Sequence, residues 1–159
     1  MIFSWTNFPR RTFAPDRPKV LNVAREIFNS GKYKPSGSVT YCNFAVSRFF
    51  LKFGYDVLVG KLANQIIADA CTGEKFTQCT SEEAAGLANR EYLVFAGLQA
   101  QPHGHVVVIL PGKPLPSKWP GRFTPPCSDI GRSYVFGRPT DRAFRFEPLF
   151  FVLNESQRG

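Results

Sequence analysis

With 159 residues, 43% of them apolar and 14% aromatic, the chain is long and apolar enough to bury one core, and its 20% charged content excludes extended disorder away from the ends. The net charge of +8 favours polyanionic partners without choosing among nucleic acid, anionic lipid and an acidic cell wall. No stretch approaches the roughly eighteen apolar residues of a membrane span, and the four cysteines match neither a disulfide scaffold nor a zinc ribbon.

One domain over residues 1–159 is expected, with an N-terminal arm over 1–16. Asp16 is placed to cap a helix whose first turn holds Pro18. Val20, Leu21, Val23, Ala24, Ile27 and Phe28 follow at helical spacing, and Gly31 is the stop. A loop of Gly, Ser and Pro, GKYKPSGSVT, leads into YCNFAVSRFFLKF, where Phe44, Ala45, Phe49 and Phe53 share apolar faces before Gly54. A third helix is expected over KLANQIIADA, closed by Gly73. A fourth starts at Thr80, which stands at capping-box spacing from Glu83.

The pattern changes at Tyr92. YLVFAGL and HVVVIL are short runs of apolar and β-branched residues that read as a central hairpin, joined through Pro102 and Gly104. Six prolines and two glycines between Pro111 and Pro126 predict a long surface loop lining a cleft. Further strands are expected around 128–130, 133–136 and 146–153. Helices first and strands afterwards give an α+β fold, with N-terminal helices packed on an antiparallel β-sheet.

The residues able to do chemistry are few. A thiol attacks as its thiolate, which the positive end of a helix and a neighbouring imidazolium both favour. Cys42 is delivered to the start of an amphipathic helix by the loop Ser36 to Thr40, which makes it the candidate nucleophile, although a lone cysteine also serves as a small buried hydrophobe. Only two histidines exist, both in PHGHVVVI. His105 opens a strand and is held more rigidly than His103 in the preceding turn, so His105 is the better base. Asp129 in PPCSDIG is the best-placed group to orient that base, ahead of Ser128 or Asn154. Tyr41 and Asn43, beside the nucleophile, and His103, beside the base, are the candidate oxyanion- or substrate-binding positions. Cys71 and Cys79 could pair in an oxidising compartment, but a reducing cytosol keeps them as thiols.

This order of features resembles the papain-like amidases of the NlpC/P60 and CHAP group. The residues that carry the resemblance are TYCNFAV with Cys42, HGHVVVILPG with His105 and PCSDIG with Asp129. The segments GYDVLVGKLANQI and SEEAAGLANREYLVFA also look like the stretch between nucleophile and base in such enzymes. The likeness spans roughly residues 38 to 137.

The resemblance implies a papain-like fold and cleavage of peptide or amide bonds in peptidoglycan, by an antibacterial effector toxin or a lysin. It implies peptide stems as partners, a cognate immunity protein in the toxin case, a monomer, and no cofactor, metal or membrane. The third position departs from the group's usual His, Asn or Glu. MIFSWTNFPRRTF has no signal-peptide core, so the expected route is synthesis in the cytoplasm and delivery to the periplasm or wall by a secretion machine or by lysis.

Two other readings compete with this one. His103 and His105, two apart on an extended segment, could bind zinc with Cys42 or Asp129 in a zinc hydrolase. Alternatively, Phe123, Tyr134 and Phe136 with the arginines could form a stacking surface in a basic module that binds nucleic acid or wall polymer.

Overall fold

The computed structural model describes residues 12–155. The arm expected over 1–16 falls largely outside them; at its end, Phe13 packs edge-on against Tyr92 with centroids 5.5 Å apart.

Helix α1 runs Val20–Ser30 and buries Val20, Val23, Ala24 and Ile27, the residues whose spacing predicts it. It ends at Gly31, whose left-handed backbone (φ +70°) lets its N–H close on the Phe28 carbonyl. Its start corrects the expectation for Asp16, which lies in a turn before the helix and does not cap it. The Val20 N–H instead donates to Glu91 Oε1 at 3.0 Å. A carboxylate from the turn after the fourth helix replaces the local cap, and Glu91 adopts φ +68° to supply it.

Helix α2 (Cys42–Lys52) buries Ala45, Val46, Phe49 and Phe50 but leaves Phe44 exposed, so Phe44 does not share the core face expected for it. Helix α3 (Ala63–Cys71) opens with the Leu62 N–H donating to Gln65 Oε1 at 2.8 Å. Helix α4 (Ser81–Asn89) has the predicted capping box: Glu83 N–H donates to Thr80 Oγ1 at 3.1 Å, and Thr80 N–H to Glu83 Oε1 at 2.9 Å.

The strands are β1 (Phe76–Cys79), β2 (Val94–Leu98), β3 (His105–Ile109), β4 (Leu115–Pro116), β5 (Phe123–Thr124), β6 (Pro126–Ile130), β7 (Tyr134–Pro139) and β8 (Leu149–Leu153). Six of them form one sheet in the order β1-β8-β2-β3-β6-β7, every neighbouring pair antiparallel. The α+β class read from the sequence therefore holds: four helices, mostly N-terminal, pack on an antiparallel sheet. Strand β1 falls in a stretch read as purely helical. Four residues carry too short a pattern to signal a strand, and β1 exists because β8 gives it a partner, Phe76 opposite Leu153.

Both faces of the sheet are covered, which is why its central strands are apolar at nearly every position. Phe95, Val106, Val108 and Phe151 pack with α1, α2 and α3, whereas Val94, Val107, Ile109 and Val152 pack with α4 and Phe144. The proline-rich stretch does not line the cleft that holds Cys42 or the one that holds His105. Its two short strands, β4 and β5, pair with each other, and β5 lies against α4, with Ser81 Oγ donating to the Phe123 carbonyl at 3.1 Å. No helix among the described residues is long and apolar enough to cross a membrane.

Candidate active site

Cys42 is the first residue of α2 and is 6% exposed. The loop before it closes on itself: Ser36 N–H donates to the Val39 carbonyl at 2.9 Å, and Val39 N–H returns the bond at 3.0 Å. The first helical bond of α2 runs from the Ala45 N–H to the Tyr41 carbonyl at 3.0 Å. The N–H groups of Cys42, Asn43 and Phe44 therefore have no acceptor within the helix, and the positive end of its dipole faces the thiol.

His105 comes from the other layer, at the first position of β3 opposite Leu98 of β2. Asn64 of α3 holds the turn between these strands. Its Nδ2 donates to the Ala100 carbonyl at 2.9 Å, its Oδ1 accepts from the Ala100 N–H at 3.2 Å, and its carbonyl accepts from Gln99 Nε2 at 3.0 Å. Asn64 Oδ1 also occupies the space a side chain at Gly104 would need, so only glycine fits the step before His105.

The structure brings Cys42, His105 and Asp129 together. His105 Nε2 lies 2.7 Å from Asp129 Oδ1, and Arg138 Nη1 donates to Asp129 Oδ2 at 2.9 Å. Asp129 is 3% exposed, so its two oxygens are satisfied by these two partners rather than by water. With Nε2 committed to Asp129, Nδ1 is the ring nitrogen left to face the Cys42 thiol, which lies near enough to act on the charge of the ring.

Burial pulls the His105 imidazole down. The hydrogen bonds with Asp129 and Cys42, and the negative charge of both, outweigh that loss and raise it from 6.5 to about 9. The raised value fixes a sign for stability. Below about pH 6.5 the ring is protonated folded or unfolded, and the contribution is complete. It declines as pH rises and is gone above about pH 9, an effect of roughly 3 kcal/mol at most for a ring 25% exposed. Urea midpoints are expected to fall between pH 6.5 and 9, and Asp129→Asn is expected to flatten that slope. An unchanged slope in the variant would show that Asp129 does not hold the proton on His105.

Two clefts meet at this cluster, one of about 420 Å³ that includes Cys42 and one of about 480 Å³ that includes His105 and Asp129. His103 is exposed in the turn and lines both. Asn43 lines the Cys42 cleft, with its Nδ2 donating to the Lys61 carbonyl at 3.1 Å. Tyr41, the remaining candidate position beside the nucleophile, is not among the residues lining either cleft; its ring lies 6.2 Å from that of Phe44.

Sequence reasoning missed Arg138, Asn64 and Gly131. The motif SDIG contains Gly131, but nothing there shows that a β-carbon at this position would sit 2.7 Å from His105 Cε1. Gly131→Ala is expected to push the ring off its place and cost about a hundredfold in turnover, since an ångström of misplacement is enough. Full activity in Gly131→Ala would mean the ring position is not critical.

The remaining thiols lie outside this cluster. Cys71, Cys79 and Cys127 are unpaired, and burial pushes the Cys79 and Cys127 thiols well up, helped by the charge of Glu83 and of Asp129 respectively. His103 and His105 do not join any third acidic, histidine or cysteine ligand in a metal-sized cluster among the described residues. The aromatic surface of the binding-module reading is divided. Tyr134 and Phe136 pack on Phe28 at 4.2 and 5.4 Å, whereas Phe123 belongs to the ribbon against α4. No protein-family model matches the chain, and no curated protein matches it.

Proposed function

We propose that the chain is a papain-like cysteine hydrolase of the NlpC/P60 and CHAP kind, cleaving peptide or amide bonds in the peptide part of bacterial peptidoglycan as an effector toxin or lysin. The observation that carries this reading is the line from the Cys42 thiol through His105 to Asp129, with the Nε2 to Oδ1 distance of 2.7 Å. A nucleophile, a base beside it and a carboxylate hydrogen-bonded to that base are the parts acyl transfer needs.

The steps follow from those parts. With the proton on His105, the Cys42 sulfur attacks the carbonyl carbon, and the oxyanion that forms meets backbone N–H groups at the start of α2. As the tetrahedral intermediate collapses, the C–N bond breaks and His105 gives its proton to the departing amine, leaving a thioester on Cys42. His105 then takes a proton from water, whose oxygen attacks the thioester. The acid leaves and the thiolate is restored with the proton back on the imidazole. Asp129, itself fixed by Arg138, keeps the ring turned so that one nitrogen always faces the sulfur.

Peptidoglycan as substrate is supported by the motif resemblance, and by a net charge of +8 that suits an acidic wall. Digestion of purified wall fragments, with products identified by mass, tests it. The expected result is a new amine and a new carboxyl group in equal amounts. Fragments left intact by protein whose Cys42 can still be alkylated would overturn the peptidoglycan assignment.

A further inference from the structure

The two clefts that meet at Cys42 and His105 differ sharply in charge. The Cys42 cleft is lined by no lysine, arginine, aspartate or glutamate, and its apolar members Val39, Phe44 and Leu62 are 51, 55 and 61% exposed. The His105 cleft is lined by Arg132, Arg138 and Arg142, with Asp129 as its one carboxylate. Asp129 is already filled by His105 and Arg138. Arg132, in the turn between β6 and β7, and Arg142, in the 3-10 turn Thr140–Ala143, form no ion pair among the described residues. Arg122, by contrast, pairs with Glu147 at 2.5 Å.

We propose that the arginine-lined cleft holds the amine side of the scissile bond and selects substrates that carry a carboxylate there, with Arg132 and Arg142 as its ligands. This rests on the hydrolase reading and adds the chemical class of the leaving group. The acyl part of the substrate stays bonded to the Cys42 sulfur, whereas the departing nitrogen must lie beside the ring that protonates it. The chain beyond that nitrogen therefore continues into the cleft with His105 on its wall, and the acyl side occupies the uncharged cleft. Two guanidinium groups brought from separate turns into one concavity suit a carboxylate, which they can engage through paired N–H groups. The preferred substrate is an amide whose amine product is an amino acid or short peptide bearing a carboxylate close to the new amino group, and whose acyl side is uncharged next to the cut.

The test compares the full chain with the double variant Arg132→Gln/Arg142→Gln in two ways. Cys42 is first alkylated with iodoacetate and with iodoacetamide at low salt, and the ratio of the two rates is taken, which cancels any change in thiol reactivity. The ratio is expected to fall about tenfold in the variant as the local field on an incoming anion is lost. Both proteins are then given muropeptides with free carboxylates and the same muropeptides carboxamidated with ammonia. The parent protein is expected to prefer the acidic pool, and the variant to lose about tenfold of that preference. An alkylation ratio unchanged in the variant would overturn the proposal. So would equal hydrolysis of both pools by the parent protein, an outcome that leaves the hydrolase reading standing. If neither pool is cut while the ratio falls as expected, the peptidoglycan reading fails and the anion-recognising cleft stands.

Discussion

Cys42→Ala is expected to remove hydrolysis, on the order of 10⁴-fold or more, while leaving the fold in place. The sulfur is the only atom proposed to bond to the substrate, and no other group could form the thioester. Cys79 and Cys127 are buried and held as neutral thiols, and they lie in the cluster packed under α4, not the one that contains Cys42. The structural cost is small, because the change removes a single atom at the first turn of α2, beside a small space that Ala45 and Val46 also line, and losing it costs about 1 kcal/mol. The measurement is turnover of wall fragments alongside a urea melt. Retained turnover in a folded Cys42→Ala protein would end the cysteine mechanism.

His105→Ala is expected to lose about a thousandfold or more, whereas His103→Ala keeps most of its activity. The two residues stand two positions apart but differ in everything that matters for proton transfer. His105 has Asp129 on one nitrogen and the Cys42 thiol on the other, and is mostly withdrawn from solvent. His103 is exposed on the rim shared by the two clefts. Because the ring of His105 holds its proton up to about pH 9, kcat/KM in the parent protein is expected to fall away above that pH. Removing the Asp129 charge should bring that limb to lower pH, since one of the forces that raise the value is gone. A pH profile with no alkaline limb near 9, or the opposite ranking of the two histidine variants, would reassign the base.

How much of this was legible in the sequence depends on how local each signal is. The helices were readable because 3.6-residue spacing, the Thr80 and Glu83 box and the Gly31 stop are local facts. Strand β1 and the true cap of α1 were not, because each is supplied by a distant segment: β8 pairs with one and Glu91 caps the other. Within the site, Cys42, His105 and Asp129 stood out by residue type and by their positions at the starts of elements. Arg138 was hidden among twenty basic residues, since which cation meets Asp129 is set by strand pairing, where a register shift at Cys127 and Ser128 disturbs any simple count. Asn64 and Gly131 act by shape, clamping a turn and leaving room for a ring, and neither role has a sequence signature.

The origin of the two groups proposed to react has a mechanical consequence. The sulfur is carried by a helix and the imidazole by the sheet that helix lies on, so the gap between them is a joint between two layers. Phe49 and Phe50 of α2, seated against Val106, Val108 and Phe95, are the bearing surface of that joint. A slide of α2 along β3 by a fraction of a residue would leave every helix and strand intact and still separate sulfur from nitrogen. Mild heat or denaturant should therefore silence the protein before its helical and strand signals change, and trimming a phenylalanine far from either cleft should act on turnover as though it had touched the site itself.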